Sequence, residues 1–76
     1  MRDLDLTGLK CPLPVLHTQK ALAQLEAGDR LRVTASDPMA SIDIPHFCTQ
    51  KGHRLMEQSQ IDSSLIFIIE KGSRQA

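Results

Sequence analysis

"LIFIIEK", residues 65–71, is apolar at five consecutive positions before it reaches Glu70 and Lys71. Apolar residues at both parities of the alternation describe a strand with two apolar faces, which suits a central place in a sheet. The chain before it holds the partners such a strand needs. "QIDSS" (60–64) reads as a turn or hairpin loop, and "HRLMEQS" (53–59) as a weaker strand. Further back, "DRLRVTAS" (29–36) sets Leu31, Val33 and Ala35 against Arg30, Arg32 and Thr34, and Leu4 and Leu6 alternate with Asp3, Asp5 and Thr7. Both are strands with one dry and one wet face.

Two helical patterns lie between the strands. Val15, Thr18, Ala21, Leu22 and Leu25 recur at helical spacing, with Gln19, Lys20, Gln24 and Glu26 on the other side. The spacing predicts a helix over 12–27, stopped by Gly28. Ile44, Phe47, Cys48 and Lys51 share a second face that ends at Gly52. Asp37 and Pro38 are a good cap and first helical residue. Pro45 complicates that start: it fits the first turn if Asp43 is the cap, and removes a hydrogen bond if the helix begins near Met39. The start is left open. "GSRQA" (72–76) reads as a frayed tail.

The element order is β-α-β-α-β-β over a single domain, residues 1–76. Right-handed crossovers put both helices on one side. The fold class expected is therefore an α/β (α+β) two-layer sandwich, with two helices on one face of a four-stranded mixed sheet.

Composition narrows the function. The 76 residues hold nine Lys and Arg against nine Asp and Glu, no Trp, no Tyr and two Phe. A formal charge of zero without an aromatic platform argues against stable nucleic-acid binding. "MRDLDLTG" lacks the apolar core of a signal peptide, and no apolar run approaches the ~20 residues of a membrane span. A cytoplasmic protein, expected to be monomeric, is the default. Cys11 and Cys48 are far apart in sequence, and reduced thiols are the rule in that compartment.

Chemistry concentrates at "GLKCPLPVL", residues 8–16. Gly8 gives the chain turn freedom after the first strand. Cys11 falls at the predicted N-cap, with Pro12 at N1 and Pro14 at N3, where a missing N–H breaks no helical bond. Donors such as the Leu13 N–H would point toward the sulfur. The helix N-terminus and Lys10 both favour an anion, so a lowered thiol pKa is expected. The prolines would fix how the sulfur is presented.

"LDLTGLKCPLPVLHTQKAL" (4–22) resembles the opening of the TusA/SirA-like sulfur carrier family, in which Cys-Pro-X-Pro leads a helix. The likeness continues through "GDRLRVTASDP" (28–38), "DIPHFCTQKGH" (43–53) and "IFIIEKG" (66–72), and covers nearly the whole chain. The resemblance implies the same β-α-β-α-β-β sandwich, with the last strand inside the sheet. It implies that Cys11 takes sulfane sulfur as a persulfide and passes it on. It also implies a cysteine desulfurase or rhodanese-like donor and a downstream acceptor, in tRNA 2-thiouridine formation, molybdenum cofactor assembly or sulfur oxidation. No cofactor is implied, and the chain would act as a carrier rather than a stand-alone enzyme.

The remaining candidates have plainer readings. Cys48, on an apolar face, reads as a core thiol. Asp37 and Asp43 read as helix caps that could also shape a docking surface, and His17 as a surface residue within reach of a helping role at the sulfur. The three His and two Cys lack metal-ligand spacing, so no metal is expected. Lys10, Lys20, Arg30 and Arg32 could form a basic edge. Two other functional classes stay open: a thiol redox or regulatory module built on Cys11, and a protein- or RNA-binding domain without sulfur chemistry.

Overall fold

The strands and helices run in the order β1 (Arg2–Leu6), α1 (Leu13–Ala23), β2 (Arg30–Ala35), α2 (Ala40–Lys51), β3 (Arg54–Ile61) and β4 (Ser64–Glu70). They are seen in a computed structural model that describes residues 1–72. The four strands form one sheet in the order β1-β2-β4-β3, with β1 parallel to β2 and the other pairs antiparallel. β4 therefore lies inside the sheet, as its double apolar face predicts.

The register explains the core. Leu31, Val33 and Ala35 of β2 stand opposite Ile69, Phe67 and Leu65 of β4. Leu4 and Leu6 of β1 align with Val33 and Ala35 on the other flank. Side chains two apart share a face, so these rows make one apolar surface. Both helices cover it, α1 over β1 and β2 and α2 over β3 and β4, and they touch each other along the middle. Leu22, Ile44, Phe47 and Cys48 are among the buried helical contributions.

The second face of β4 has no such cover. Ile66 and Ile68 are only half-buried, flanked in the register by Thr34 and Arg32 of β2 and by Ser59 and Glu57 of β3. An antiparallel pair tolerates one wet face, and long neighbouring side chains shade the isoleucines with their stems. The expected basic edge does not form on this face. Arg32 pairs with Asp3, and Arg30 with Glu70 at 3.6 Å.

Three local expectations are corrected, and the open start of α2 is resolved. α1 stops at Ala23, four residues early, because Asp29 draws the next turn to itself: its Oδ2 accepts the Glu26 N–H at 3.0 Å, and its own N–H bonds back to the Glu26 carbonyl at 2.9 Å. α2 begins at Ala40 and carries Pro45 in its interior. The lost bond would have ended on the Ser41 carbonyl, four residues back; Gln58 Nε2 donates to that oxygen at 3.3 Å instead. β3 extends to Ile61, so the hairpin loop shrinks to Asp62 and Ser63, with Asp62 at a φ of 55°. At the end of the chain, Gly72 is tied down, its N–H donating to His53 Nδ1 at 3.1 Å; the rest of the predicted tail, 73–76, lies outside the described residues.

One buried group invites a stability test. Thr18 is fully buried between α1 and the sheet, and its hydroxyl has no hydrogen-bond partner among the described residues. Thr18→Val keeps the shape and β-branching while removing the unsatisfied hydroxyl. It should stabilise the domain by about 1 kcal/mol, a rise in Tm of ~4–8 °C for a chain of this size. Thermal unfolding followed by circular dichroism reads it; a fall in Tm would show that the hydroxyl is bonded in solution.

Candidate functional site at Cys11

The site forms where the exit of β1 meets the start of α2. Gly8, at a φ of +86°, turns the chain out of the sheet in a conformation costly for other residues, and its N–H donates to Ser36 Oγ at 2.8 Å. Leu9 N–H closes the turn on the Leu6 carbonyl at 3.2 Å. Lys10 and Cys11 follow, both exposed, and the Cys11–Pro12 peptide is cis.

α1 begins one residue later than the sequence suggests. Pro12 is the N-cap, Leu13 the first helical residue and Pro14 sits in the first turn, buried. The Leu13 N–H does not face the sulfur; it donates to the Lys10 carbonyl at 2.8 Å. Cys11 thus sits on a turn ahead of the helix, outside the ring of free N–H groups that would favour its anion.

Two carboxylates occupy the space instead. Asp37 Oδ2 accepts the Cys11 backbone N–H at 2.6 Å, and its Oδ1 accepts the Met39 N–H at 3.1 Å. The Asp37 carbonyl accepts from Ala40 at 2.9 Å. Asp37 is therefore no simple helix cap. It clamps the cysteine turn to the segment that leads into α2, and it is only 8% exposed. Asp43, in the first turn of α2, reaches the cysteine side chain: the thiol donates to Asp43 Oδ2 at 3.2 Å.

These contacts reverse the expected electrostatics. The Cys11 thiol is pushed above its ordinary pKa, first by its hydrogen bond to Asp43, then by desolvation and by the charges of Asp43 and Asp37. Ionising the sulfur would discard the bond and set a third negative charge beside two. Asp37 itself is held below the usual carboxylate range, chiefly by the Cys11 N–H and then the Met39 N–H, with Lys10 helping. Lys10 thus acts on the Asp37 carboxylate.

The other candidates stand apart. His17 is exposed on α1 and has no hydrogen bond to the sulfur or to either carboxylate among the described residues. Cys48 is 1% exposed in the core, and burial lifts its thiol to about 11. Both cysteines are free. Among the described residues no cluster of His, Cys, Asp and Glu could hold a metal, and no helix is long and apolar enough to cross a membrane. Exposed apolar residues that pattern reading passed over, or in the case of Met39 read as packing, complete the surroundings. Leu13 and Leu16 at the start of α1, and Met39 and Ile42 at the start of α2, are exposed in the two segments that hold the sulfur. Their signal in the sequence was weak: apolar residues off the core-facing stripe of each helix.

The Asp37 clamp gives a pH-dependent prediction. Its carboxyl is depressed on folding, so the stabilisation is complete above the unfolded value of ~3.9 and is lost as pH falls through the lower folded value. Asp37→Ala should lower the Tm by several degrees near neutral pH. The gap to wild type should close on acidification through that window. A gap that persists unchanged at acid pH would mean that the two N–H bonds are not what holds this carboxylate ionised.

Comparison with known proteins finds relatives along nearly the whole chain. The family model described as Sulfurtransferase TusA matches residues 2–71. A candidate sulfur carrier protein of Neisseria meningitidis is 48% identical over 67 residues, covering 88% of this chain and 90% of that one. The sulfur carrier protein TusA of Pseudomonas putida is 41% identical over 68 residues, covering 90% and 85%. The crystal structure of a SirA-like protein from Desulfitobacterium hafniense superposes with a TM-score of 0.84 at 28% identity, covering 95% of this chain and 99% of that one. With matches along nearly its whole length, in sequence and in fold, the chain belongs to the TusA family of sulfur carrier proteins.

Proposed function

We propose that this chain is a cytoplasmic sulfur carrier that accepts sulfane sulfur as a persulfide on Cys11 and hands it to a partner protein. The observation that carries the reading is the contrast between its two thiols. Cys11 is exposed on a turn that Asp37 fixes through the backbone, and Cys48 is sealed in the core. One accessible thiol is enough, because a persulfide stores one transferable sulfur without a resolving cysteine. Pro12 and Pro14 stiffen the chain that follows the sulfur.

The donor is a cysteine desulfurase or a rhodanese-like protein, and the acceptor the next protein of a relay that ends in tRNA 2-thiouridine, molybdenum cofactor or sulfur metabolism. Protein partners fit the surroundings, since exposed Leu13, Leu16, Met39 and Ile42 offer apolar contact around a small polar centre. The redox-module alternative would use the same exposed thiol and differs in what that thiol gains, oxygen or a mixed disulfide in place of sulfur.

The test is incubation with a desulfurase supplied with labelled cysteine, and with a rhodanese supplied with labelled thiosulfate. The label is then located by peptide mass. The reading expects one added sulfur on the Cys11 peptide, removable by reductant. Oxygen adducts or mixed disulfides in its place would support the redox module, and no modification of either cysteine would leave a binding domain.

A further inference from the structure

The sulfur of Cys11 has one polar side-chain partner among the described residues, Asp43 Oδ2 at 3.2 Å, and the sulfur is the donor. A thiol can make this bond. A persulfide ionised at its terminal sulfur has no hydrogen to give. Hydropersulfides are more acidic than the thiols from which they form, because the attached sulfur withdraws charge. Near neutral pH the empty carrier is thus a neutral donor to Asp43, and the loaded carrier is an anion beside it.

The groups facing this atom reinforce the difference. Asp37, from the segment before α2, adds a second carboxylate at the Cys11 backbone. Lys10, on the cysteine's own turn, is the neighbouring cation, and it acts on Asp37. No other element brings a charged side chain into hydrogen-bond contact with the sulfur among the described residues.

Resting on the carrier reading above, we infer that Asp43 is a positioning residue that sets the direction of sulfur flow: it holds the empty thiol and repels the loaded persulfide, so that Cys11 releases sulfur more readily than an ordinary thiol does. The exchange it biases is Cys11–SH plus R–S–S⁻ giving Cys11–S–S⁻ plus R–SH. The bond between the R sulfur and the sulfane sulfur breaks, and one between Cys11 Sγ and the sulfane sulfur forms. The Cys11 proton passes to the departing R thiolate. The sulfane sulfur keeps its oxidation state, so no oxidant or reductant is needed. Asp43 favours the left side of this exchange, which is the side reached when the carrier has handed its sulfur on.

The experiment equilibrates the full chain anaerobically with glutathione persulfide and glutathione at fixed ratio near neutral pH. Loaded and empty Cys11 are counted by intact mass and peptide mapping. Asp43→Asn keeps an oxygen that can accept from the thiol but removes the charge. Its loaded-to-empty ratio should exceed that of wild type about fivefold, the size expected of one charge acting through a watery medium. Asp43→Glu should return the ratio toward wild type, and Glu57→Gln, a charge removed from the edge strand β3, should leave it unchanged. The pH midpoint for alkylation of empty Cys11 should fall in Asp43→Asn, which a merely structural role would not produce. If Asp43→Asn does not fold, Asp43→Ser is read the same way.

An unchanged or lower ratio in the charge-free variants, or an equal rise in Glu57→Gln, overturns the inference. Because the probe is a small persulfide, the ratio can be read whether or not a protein donor labels Cys11. Failure of every protein donor sinks the carrier reading and the flow-direction role with it. An unchanged ratio in a chain that protein donors do label sinks the Asp43 role alone.

Discussion

Cys11→Ser is expected to lose all transferable sulfur, with labelling from a desulfurase or rhodanese falling to background, while Cys48→Ala keeps labelling near the wild-type level. The Cys11 side chain is exposed and, among the described residues, makes a single hydrogen bond, to Asp43. Serine can donate to the same oxygen and leaves the backbone bond to Asp37 untouched, so the turn should survive without its sulfur. Cys48 packs in the core and is 1% exposed. Truncating it opens a small cavity and should cost about 1 kcal/mol, the scale of losing little more than one buried methyl-sized group. Its thiol is lifted to about 11 by burial, so almost none is ionised near neutral pH. Sulfur transfer measured with each variant, with a melting curve alongside, separates the roles. Label retained in Cys11→Ser, or found on Cys48 in wild type, would overturn the single-carrier mechanism.

What the sequence shows of this protein and what it hides divide along a physical line. Properties set by near neighbours were legible. Alternation placed β1 and β2, helical spacing placed Thr18, Ala21 and Leu22 on one buried face, and the double apolar row at Leu65–Ile69 put β4 inside the sheet. Gly52 closes α2 in the left-handed conformation that its position suggested. The short reach of such patterns also explains the missed end of α1 and the start of α2 that stayed open. The helix end at Ala23 depends on Asp29 capturing a turn, and Pro45 inside α2 depends on Gln58 arriving from β3. Neither partner belongs to the helix it affects.

The site shows the same division with larger consequences. Its cysteine, glycine and prolines form a contiguous string, readable at once. The two carboxylates are 26 and 32 residues away and meet the cysteine only after α2 docks beside α1. A local account of the thiol counts the helix start and Lys10 and predicts an easily ionised sulfur. The folded protein adds Asp43 and Asp37 and reverses the sign. The sign of such a shift is fixed by the nearest charge, and here that charge is brought by tertiary structure. The same clamp makes two segments distant in sequence, "GLKCPLP" (8–14) and "SDPMASID" (36–43), parts of one surface.

Phe67→Ala is expected to remove roughly half or more of the stability of the domain, whereas Ile68→Ala, one residue along the same strand, should remove little. Phe67 is fully buried opposite Val33 at the centre of the face that both helices cover. Large-to-small changes at such sites cost ~3–5 kcal/mol, against a total of about 4–11 kcal/mol for a chain of this length at typical values per residue. The Tm should drop by at least ~12 °C. Ile68 points to the open face, half-exposed between Arg32 and Glu57. Its truncation releases fewer contacts, lets water fill the space, and should cost about 1 kcal/mol. The sulfur site depends on the core by the same route. Its three anchors, Cys11, Asp37 and Asp43, come from two chain segments whose relative placement depends on the helices resting on the sheet, α1 on β1 and β2 and α2 on β3 and β4. Phe67→Ala should therefore lose labelling at Cys11 at the temperature where its melt begins, and Ile68→Ala should keep it. Circular dichroism melts paired with labelling across temperature test this, and equal losses for the two substitutions would mean that the outer face of β4 is buried in solution.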